Sequence, residues 1–168
     1  MIKGKVWKLG DNINTDVIYP GTYLSITTDT TEMAKHCFER VYPDFIKRAK
    51  PGDIIVAGKF LGCGSSREQA VICLKAFGIQ AIIAESFARI YYRNAINLGM
   101  PILIAPGIIS KVNEGNIIEI GLEKGIIRNV SRDIGIPEEI QAQKLPQFII
   151  ELIEDVGLIP HLKKSFKK

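Results

Sequence analysis

The chain has 168 residues, of which 46% are apolar and 24% charged, and its formal net charge is +4. A chain of this length can bury roughly two thirds of the surface that its unfolded form exposes. The composition therefore excludes disordered and fibrous proteins and predicts one domain over residues 1–168. The charge excess is too small to indicate nucleic-acid binding, and no apolar run is long enough for a membrane span.

Residues 1–8 (MIKGKVWK) contain neither an apolar signal segment nor a small-residue cleavage site, so we expect a cytoplasmic protein. The cysteines, Cys37, Cys63 and Cys73, are odd in number and lack CxxC spacing. They predict neither a disulfide framework nor a four-ligand metal site. The sequence therefore predicts no metal in this chain.

The N-terminal third of the chain has weaker patterns. Residues 4–9 predict a strand, and residues 11–16 a polar loop. Residues 31–40 predict a helix.

The middle of the chain alternates between strands and helices. Short apolar runs at residues 53–57, 81–84 and 102–105 predict buried strands. With a helix between each pair, they predict a parallel βαβαβ layer. Ligands of such open sheets bind where the carboxyl ends of the strands meet the helices.

The ends of both helices can be predicted from single residues. Ser66 is an expected N-cap, and Gln69 would complete a capping box with it. Gly78 is a suitable stop for this helix. Ser86 is the expected cap of the second helix, which we predict to end near Leu98.

The C-terminal part of the chain predicts a β-rich flank and a helical tail. Two β-rich runs, residues 117–120 and 126–130, are typical of a hairpin. From about residue 145 an apolar stripe with helical spacing predicts helices that pack against the core or against another subunit.

The densest chemical signal is residues 62–70 (GCGSSREQA), between a predicted strand and a predicted helix. Gly64 permits close approach of a ligand to the backbone. The helix start offers free N–H groups, and Arg67 carries a planar fork that matches a carboxylate. Together these features predict an anion-binding site.

Known phosphate and hydrolase motifs do not fit this segment. No lysine follows Gly64 as a phosphate loop requires, Arg67 replaces the third glycine of a dinucleotide fingerprint, and no serine-hydrolase elbow is present. Without a neighbouring histidine, Ser65 could act as a base through an alkoxide held by N–H groups and Arg67. Alternatively, Ser65 and Ser66 only cap the helix.

Three ordered blocks resemble one known family. Residues 62–70 resemble the signature of the aconitase C-terminal swivelling domain, and more closely that of the separate small subunits of 3-isopropylmalate dehydratases and their homoaconitase-like relatives. Residues 10–21 (GDNINTDVIYPG) resemble the family's first block, and residues 85–99 (ESFARIYYRNAINLG) its third. Order and spacing agree from about residue 3 to residue 104.

The resemblance implies an α/β fold, a swivelling β/β/α three-layer domain that closes over a large subunit. It implies that this partner holds a [4Fe-4S] cluster, with no cofactor in this chain, and that the pair is a hydro-lyase for a small 2-hydroxy dicarboxylic acid. By resemblance, Ser65 is the base that removes the proton next to a carboxylate. Ser66, Arg67 and Gly64 would bind substrate carboxylate, and Thr15 and Asp16 would support the site, unless they form a plain Asx turn.

The chain departs from part of the family in the loop expected to read the substrate's variable group. Homoaconitase-type members often place an arginine after Tyr-Leu, where this chain has Ser25 between Leu24 and Ile26. A buried carboxylate without a cationic partner is costly, so an apolar variable group is predicted. Isopropylmalate in leucine synthesis is the first expectation, with citramalate, dimethylmalate or homoaconitase substrates as alternatives. A non-catalytic anion-binding module is the alternative from another class.

Overall fold

The computed structural model describes residues 1–131 and 138–166. Within them one mixed sheet has the strand order β4-β3-β2-β1-β5-β6-β7. Its strands are β1 (Ile2–Lys8), β2 (Ile54–Ala57), β3 (Ala81–Ala84), β4 (Ile102–Ile104), β5 (Ile117–Gly121), β6 (Ile126–Asn129) and β7 (Glu138–Gln141).

The sheet has a parallel half and an antiparallel half that meet at β1. Strands β1 to β4 run parallel, with Ile55 opposite Ile82 in β2 and β3. Strand β1 pairs antiparallel with β5, which forms the predicted hairpin with β6, and β7 adds an outer strand. The predicted parallel unit and the β-rich flank are both confirmed.

Side chains that alternate along the parallel strands belong to two different cores. Ile54 and Val56 of β2 are buried with Ile118 and Ile127 of the antiparallel half, whereas Ile55 belongs to a second core. Because successive residues of a strand lie on opposite faces, the antiparallel half packs on the parallel half. The expected β/β/α layering is therefore confirmed.

Most helices cover the other face of the parallel half, whereas the helix that carries Ile108 packs in the first core with the antiparallel half. In the described part of the chain the helices are α1 (Thr15–Ile18), α2 (Thr30–Ala34), α3 (Phe45–Arg48), α4 (Gln69–Phe77), α5 (Arg89–Asn97), α6 (Ile108–Lys111), α7 (Gln147–Glu154) and α8 (Leu158–Ser165). The second core packs Ile55 and Ile82 against side chains such as Phe45, Leu74 and Tyr91. None of these helices is long and apolar enough to cross a membrane.

Two predictions for the first third were wrong in extent. The expected loop 11–16 contains the start of α1, because the Asn14 side chain accepts the N–H of Val17 and caps it. The expected helix 31–40 is only α2, because Phe38 takes a left-handed conformation with φ 57°. There its N–H donates to the Ile18 carbonyl (2.9 Å) while its ring is fully buried.

The predicted cap of α5 was also wrong. Ser86 Oγ accepts the N–H of Phe60 at 2.9 Å, and its carbonyl accepts the N–H of Leu61. Ala88 N–H then donates to the Leu61 carbonyl at 2.9 Å. These cross-chain bonds keep residues 86–88 extended, so α5 begins only at Arg89.

Candidate active site

The motif loop, residues 62–68, lies against the segment that precedes and begins α1. Gly62 N–H donates to the Ile13 carbonyl (2.7 Å), and Thr15 N–H donates to the Cys63 carbonyl (2.9 Å). Asn14 and Cys63 form an isolated parallel bridge. The first and second blocks of the sequence, about fifty residues apart, are therefore one structural unit.

Residue 62 must be a glycine because its backbone lies close to helix α5. Its φ is 80°, and a Cβ built on it would lie 2.1 Å from Cγ of Tyr91 in α5. Tyr91 is buried, and burial raises the pKa of its hydroxyl well above the ordinary range. The backbone of the motif loop is thus fixed against a rigid aromatic side chain.

Substituting Gly62→Ala is expected to lower the free energy of unfolding by about 3 kcal/mol or more, from overpacking and backbone strain together. Gly107→Ala is a matched control, since its φ is 77° but nothing lies within 4 Å of its Cβ position. That variant should lose only about 1–2 kcal/mol. Urea unfolding of both variants measures the difference, and equal losses would show that the Tyr91 contact is unimportant.

Ser65 is held through its backbone. Thr15, 2% exposed, donates its hydroxyl to the Ser65 carbonyl at 2.9 Å. Ser65 itself is exposed, and its hydroxyl has no hydrogen-bond partner within residues 1–131 and 138–166. The contact therefore fixes the backbone of Ser65 and leaves the hydroxyl available to a ligand.

The predicted capping box was wrong. Helix α4 begins at Gln69, and Glu68 is its N-cap residue, without a side-chain bond. Thr15 holds Ser65 and Asp16 holds Arg67, so the chain between them follows the neighbouring segment instead of turning into a helix. As a result, the N–H groups of residues 64–69 have no acceptor in the described chain, which suits an anion.

Arg67 is paired with Asp16. Its Nη1 donates to Asp16 Oδ1, which also accepts the N–H of Gly21 at 2.9 Å. The hydrogen bond from Arg67 lowers the pKa of the Asp16 carboxyl, aided by that of Gly21. The side chain of Arg67 is 19% exposed. Asp16 thus fixes the guanidinium while binding one of its nitrogens.

Gly21 joins this pair to the predicted specificity loop, residues 22–30. A Cβ at Gly21 would lie 2.8 Å from Arg67 Nη1 and 3.0 Å from Asp16 Oδ1, so its backbone packs directly on the pair. A short 3-10 turn, Gly21–Tyr23, follows. The start of the specificity loop therefore lies beside the Arg67 guanidinium.

Three predicted substrate contacts, Leu24, Ser25 and Ile26, lie in the exposed part of this loop. The side chains of Leu24 and Ile26 are 36% and 69% exposed. No hydrogen bond joins these residues to the motif loop within the described chain. The structure thus brings Thr15 and Asp16 together with residues 64–67 of the motif loop. Within the described chain, the part of the specificity loop that reaches these residues is its start, next to Gly21.

Sequence reasoning missed two kinds of residue around the site. Asn14 caps α1, and an asparagine three residues before a helical Val17 was a readable signal. Tyr23, His36 and Glu39 form a polar cluster at the base of the specificity loop. No local pattern indicates that cluster, because it depends on the chain turning at residue 38.

The three cysteines do not form one ligand set, although Cys37 and Cys73 are neighbours in the core. Cys37 and Cys73 are fully buried, and burial raises the pKa of the Cys73 thiol well above its ordinary value. Cys63 lies apart in the motif loop. Within the described ranges no three His, Cys, Asp or Glu side chains are placed to hold a metal ion. The residues that the structure describes therefore offer no set of ligands for an iron–sulfur cluster.

Comparisons with known proteins agree on one family. Residues 9–106 match the aconitase C-terminal domain. The isopropylmalate/citramalate isomerase small subunit of Methanocaldococcus jannaschii is 52% identical, over 98% of this chain and 95% of that protein. The 3-isopropylmalate dehydratase small subunit of Thermodesulfovibrio yellowstonii is 48% identical, over 97% of this chain and 94% of that protein.

A solved structure has the same fold over nearly the whole chain. The crystal structure of 3-isopropylmalate dehydratase from M. jannaschii superposes with a TM-score of 0.88 and 46% identity. The match covers 98% of this chain and 94% of that one. The similarity thus includes the β-rich flank and the C-terminal helices, beyond the residues of the conserved domain.

Proposed function

This chain belongs to the aconitase C-terminal domain family, and from that premise we propose that it is the small subunit of 3-isopropylmalate dehydratase. One observation supports the proposal most strongly. Residues 64–67 present a serine hydroxyl and N–H groups that have no partner among the described residues, beside a fixed arginine, on a backbone held by Thr15 and Asp16.

Substrate carboxylate binding is the role of the anion-binding part of the loop. The N–H groups of residues 64–69 have no acceptor in the described chain, and Ser66 adds a hydroxyl. Arg67 binds Asp16 through one nitrogen, so donors of its fork remain for a carboxylate. Asp16 fixes the guanidinium before substrate arrives, which reduces the ordering cost of binding.

Proton transfer is the role of Ser65. Its Oγ accepts the proton that leaves the carbon next to a substrate carboxylate, and it returns that proton when water adds back. A serine oxygen can hold negative charge only where donors stabilise it, and the neighbouring N–H groups and Arg67 provide them. Thr15 keeps the backbone of Ser65 in one position between these steps.

Departure of the substrate hydroxyl needs a Lewis acid, and the described residues of this chain include no metal-ligand set that would hold one. We assign a [4Fe-4S] cluster to a separate large subunit, where it supplies a Lewis acid for the substrate hydroxyl. The relatives from M. jannaschii and T. yellowstonii are named small subunits, which supports a two-subunit enzyme. The active site would then lie between the two chains, with the exposed motif loop facing the partner.

The variable group of the substrate is apolar in this proposal. Leu24 and Ile26 flank Ser25, and no basic side chain lies between Gly21 and Thr30. A second carboxylate at this position would lack a cationic partner. Citramalate is the second candidate substrate, because the relative from M. jannaschii is named for both acids.

Reconstitution with the large subunit, followed by a substrate panel, tests the substrate assignment. We expect isopropylmalate and citramalate to be turned over at least about tenfold more efficiently, in kcat/KM, than homocitrate-type acids. Faster turnover of the homocitrate-type acids would contradict the assignment. Tight dicarboxylate binding by the chain alone, with no activity after mixing, would instead favour a non-catalytic anion-binding module.

A further inference from the structure

A polar cluster, Tyr23, His36 and Glu39, joins the start of the specificity loop to the segment after α2. The Tyr23 hydroxyl donates to Glu39 Oε1 at 2.6 Å, and His36 Nδ1 donates to Glu39 Oε2 at 2.5 Å. The tyrosine ring also stacks on the imidazole, with centroids 3.7 Å apart and planes 18° apart. Glu39 thus receives two bonds, one from each of two stacked rings.

Both ends of the specificity loop are anchored, the start by the segment after α2 and the end by α2 itself. At the start, Arg40 Nη2 donates to Thr22 Oγ1 at 3.2 Å, next to the Tyr23–Glu39 bond. At the end, Asp29 caps α2 by accepting the N–H of Thr31 at 2.9 Å. The exposed residues 24–26 therefore span two anchors, one of which is the polar cluster.

The Tyr23–Glu39 bond involves a carboxylate, which makes it stronger than a neutral hydrogen bond. It lowers the pKa of Glu39, with a further contribution from His36, and it raises the pKa of Tyr23. The Tyr23 ring also packs on fully buried Tyr19, with centroids 6.1 Å apart. Residue 23 is therefore fixed to the core, immediately before the part of the loop that is exposed.

The same loop start is in contact with the anion-binding pair. Gly21 N–H binds Asp16, which binds Arg67. A shift of Tyr23 would change where residues 24–26 lie relative to the Arg67 guanidinium. The polar cluster is outside the motif loop and outside the residues that the resemblance assigns to the site.

We propose that Glu39 is a positioning residue for substrate specificity, which rests on the proposed function. By holding Tyr23 against His36, it fixes where Leu24 and Ile26 lie relative to Arg67. It thereby sets how well the enzyme distinguishes substrates by their alkyl group. Glu39 does not touch the reacting atoms and acts only through Tyr23.

Two variants and one control test this role. Glu39→Gln weakens both bonds to the carboxylate, and Tyr23→Phe keeps the ring stack but removes the hydroxyl bond. The matched control is Glu139→Gln, which removes a carboxylate bonded to Arg128 at 2.7 Å on the antiparallel half of the sheet. If Glu39→Gln fails to fold, Tyr23→Phe alone decides the question.

Hydrogen exchange in the chain alone gives the first measurement. We expect amide exchange over residues 22–28 to accelerate by about tenfold in Glu39→Gln and less in Tyr23→Phe, with no change elsewhere or in the control. Unchanged exchange in this segment would show that the polar cluster does not hold the loop. This result does not depend on enzyme activity.

Kinetics of the reconstituted pair give the second measurement. In Glu39→Gln we expect the ratio of kcat/KM for isopropylmalate over citramalate to fall by about fivefold or more through KM, with kcat within about twofold of wild type. An unchanged ratio, or an equal loss of kcat for both acids, overturns the specificity role. Failure of the wild-type pair on both acids would instead reject the proposed function.

Discussion

Replacing Ser65 by alanine is expected to lower kcat of the reconstituted pair by about 10³-fold, the contribution typical of a positioned general base. KM should change by no more than a few fold, because Arg67 and the backbone N–H groups still bind the carboxylate. The Thr15 bond goes to the backbone carbonyl of Ser65 and survives the substitution. Steady-state rates of dehydration and hydration measure both parameters.

Ser110→Ala is the control for Ser65→Ala. Ser110 is an exposed residue of α6, and its hydroxyl donates to the Gly107 carbonyl at 2.8 Å. Its loss should leave kcat unchanged. Unfolding curves should coincide for wild type and Ser65→Ala, since the Ser65 hydroxyl has no partner in the described chain. Near-normal turnover by Ser65→Ala would remove this residue from its role as base.

Replacing Arg67 by lysine is expected to lower kcat/KM by about 10- to 100-fold, mostly through a higher KM. A charged hydrogen bond contributes about 1.5–3 kcal/mol, and a lysine cannot bind Asp16 and a carboxylate with one planar fork. Arg67→Ala should be worse, because it also leaves Asp16 as an unpaired negative charge beside an anionic substrate. Kinetics with isopropylmalate measure these losses.

A double substitution separates the two effects at Arg67. Arg67→Ala with Asp16→Asn removes the unpaired carboxylate, so it should recover part of the affinity that Arg67→Ala loses. Arg48→Lys is the control, because Arg48 pairs with Glu114 on the surface at 3.6 Å. Equal KM values for Arg67→Ala and the double variant would contradict the proposed repulsion between Asp16 and the substrate. A normal KM in Arg67→Lys would contradict the binding of a substrate carboxylate by Arg67.

Most of the sheet could be predicted from the sequence because its strands are short, fully apolar runs. Strands β2 and β3 are buried at every position, and the glycine that ends α4, Gly78, has φ 100° as a helix stop requires. Strand β7 escaped prediction, since its residues 138–141 (EEIQ) are mostly polar, and Ile140 enters the core between exposed Glu139 and Gln141. Such an outer strand depends on a partner strand rather than on its own pattern.

Helix starts and site contacts were less predictable because distant residues compete with local ones. Ser66 and Ser86 have side chains suited to capping, yet neither is the N-cap residue of its helix. Hydrogen bonds to another segment keep the chain extended near both serines, so α4 and α5 begin only at Gln69 and Arg89. The pairing of Arg67 with Asp16 spans 51 positions and has no local signature. Motif and resemblance could nominate candidate site residues, whereas the contacts between those residues required the structure.

The rate of isopropylmalate dehydration tests most directly whether this chain is the small subunit of the dehydratase. The chain is titrated, under anaerobic conditions, into a fixed amount of the cluster-loaded large subunit from the same genome. We expect no activity for either chain alone and a rate that rises with this chain until it saturates. A large subunit that is fully active without this chain, or a mixture that stays inactive although its cluster is intact, would contradict this assignment.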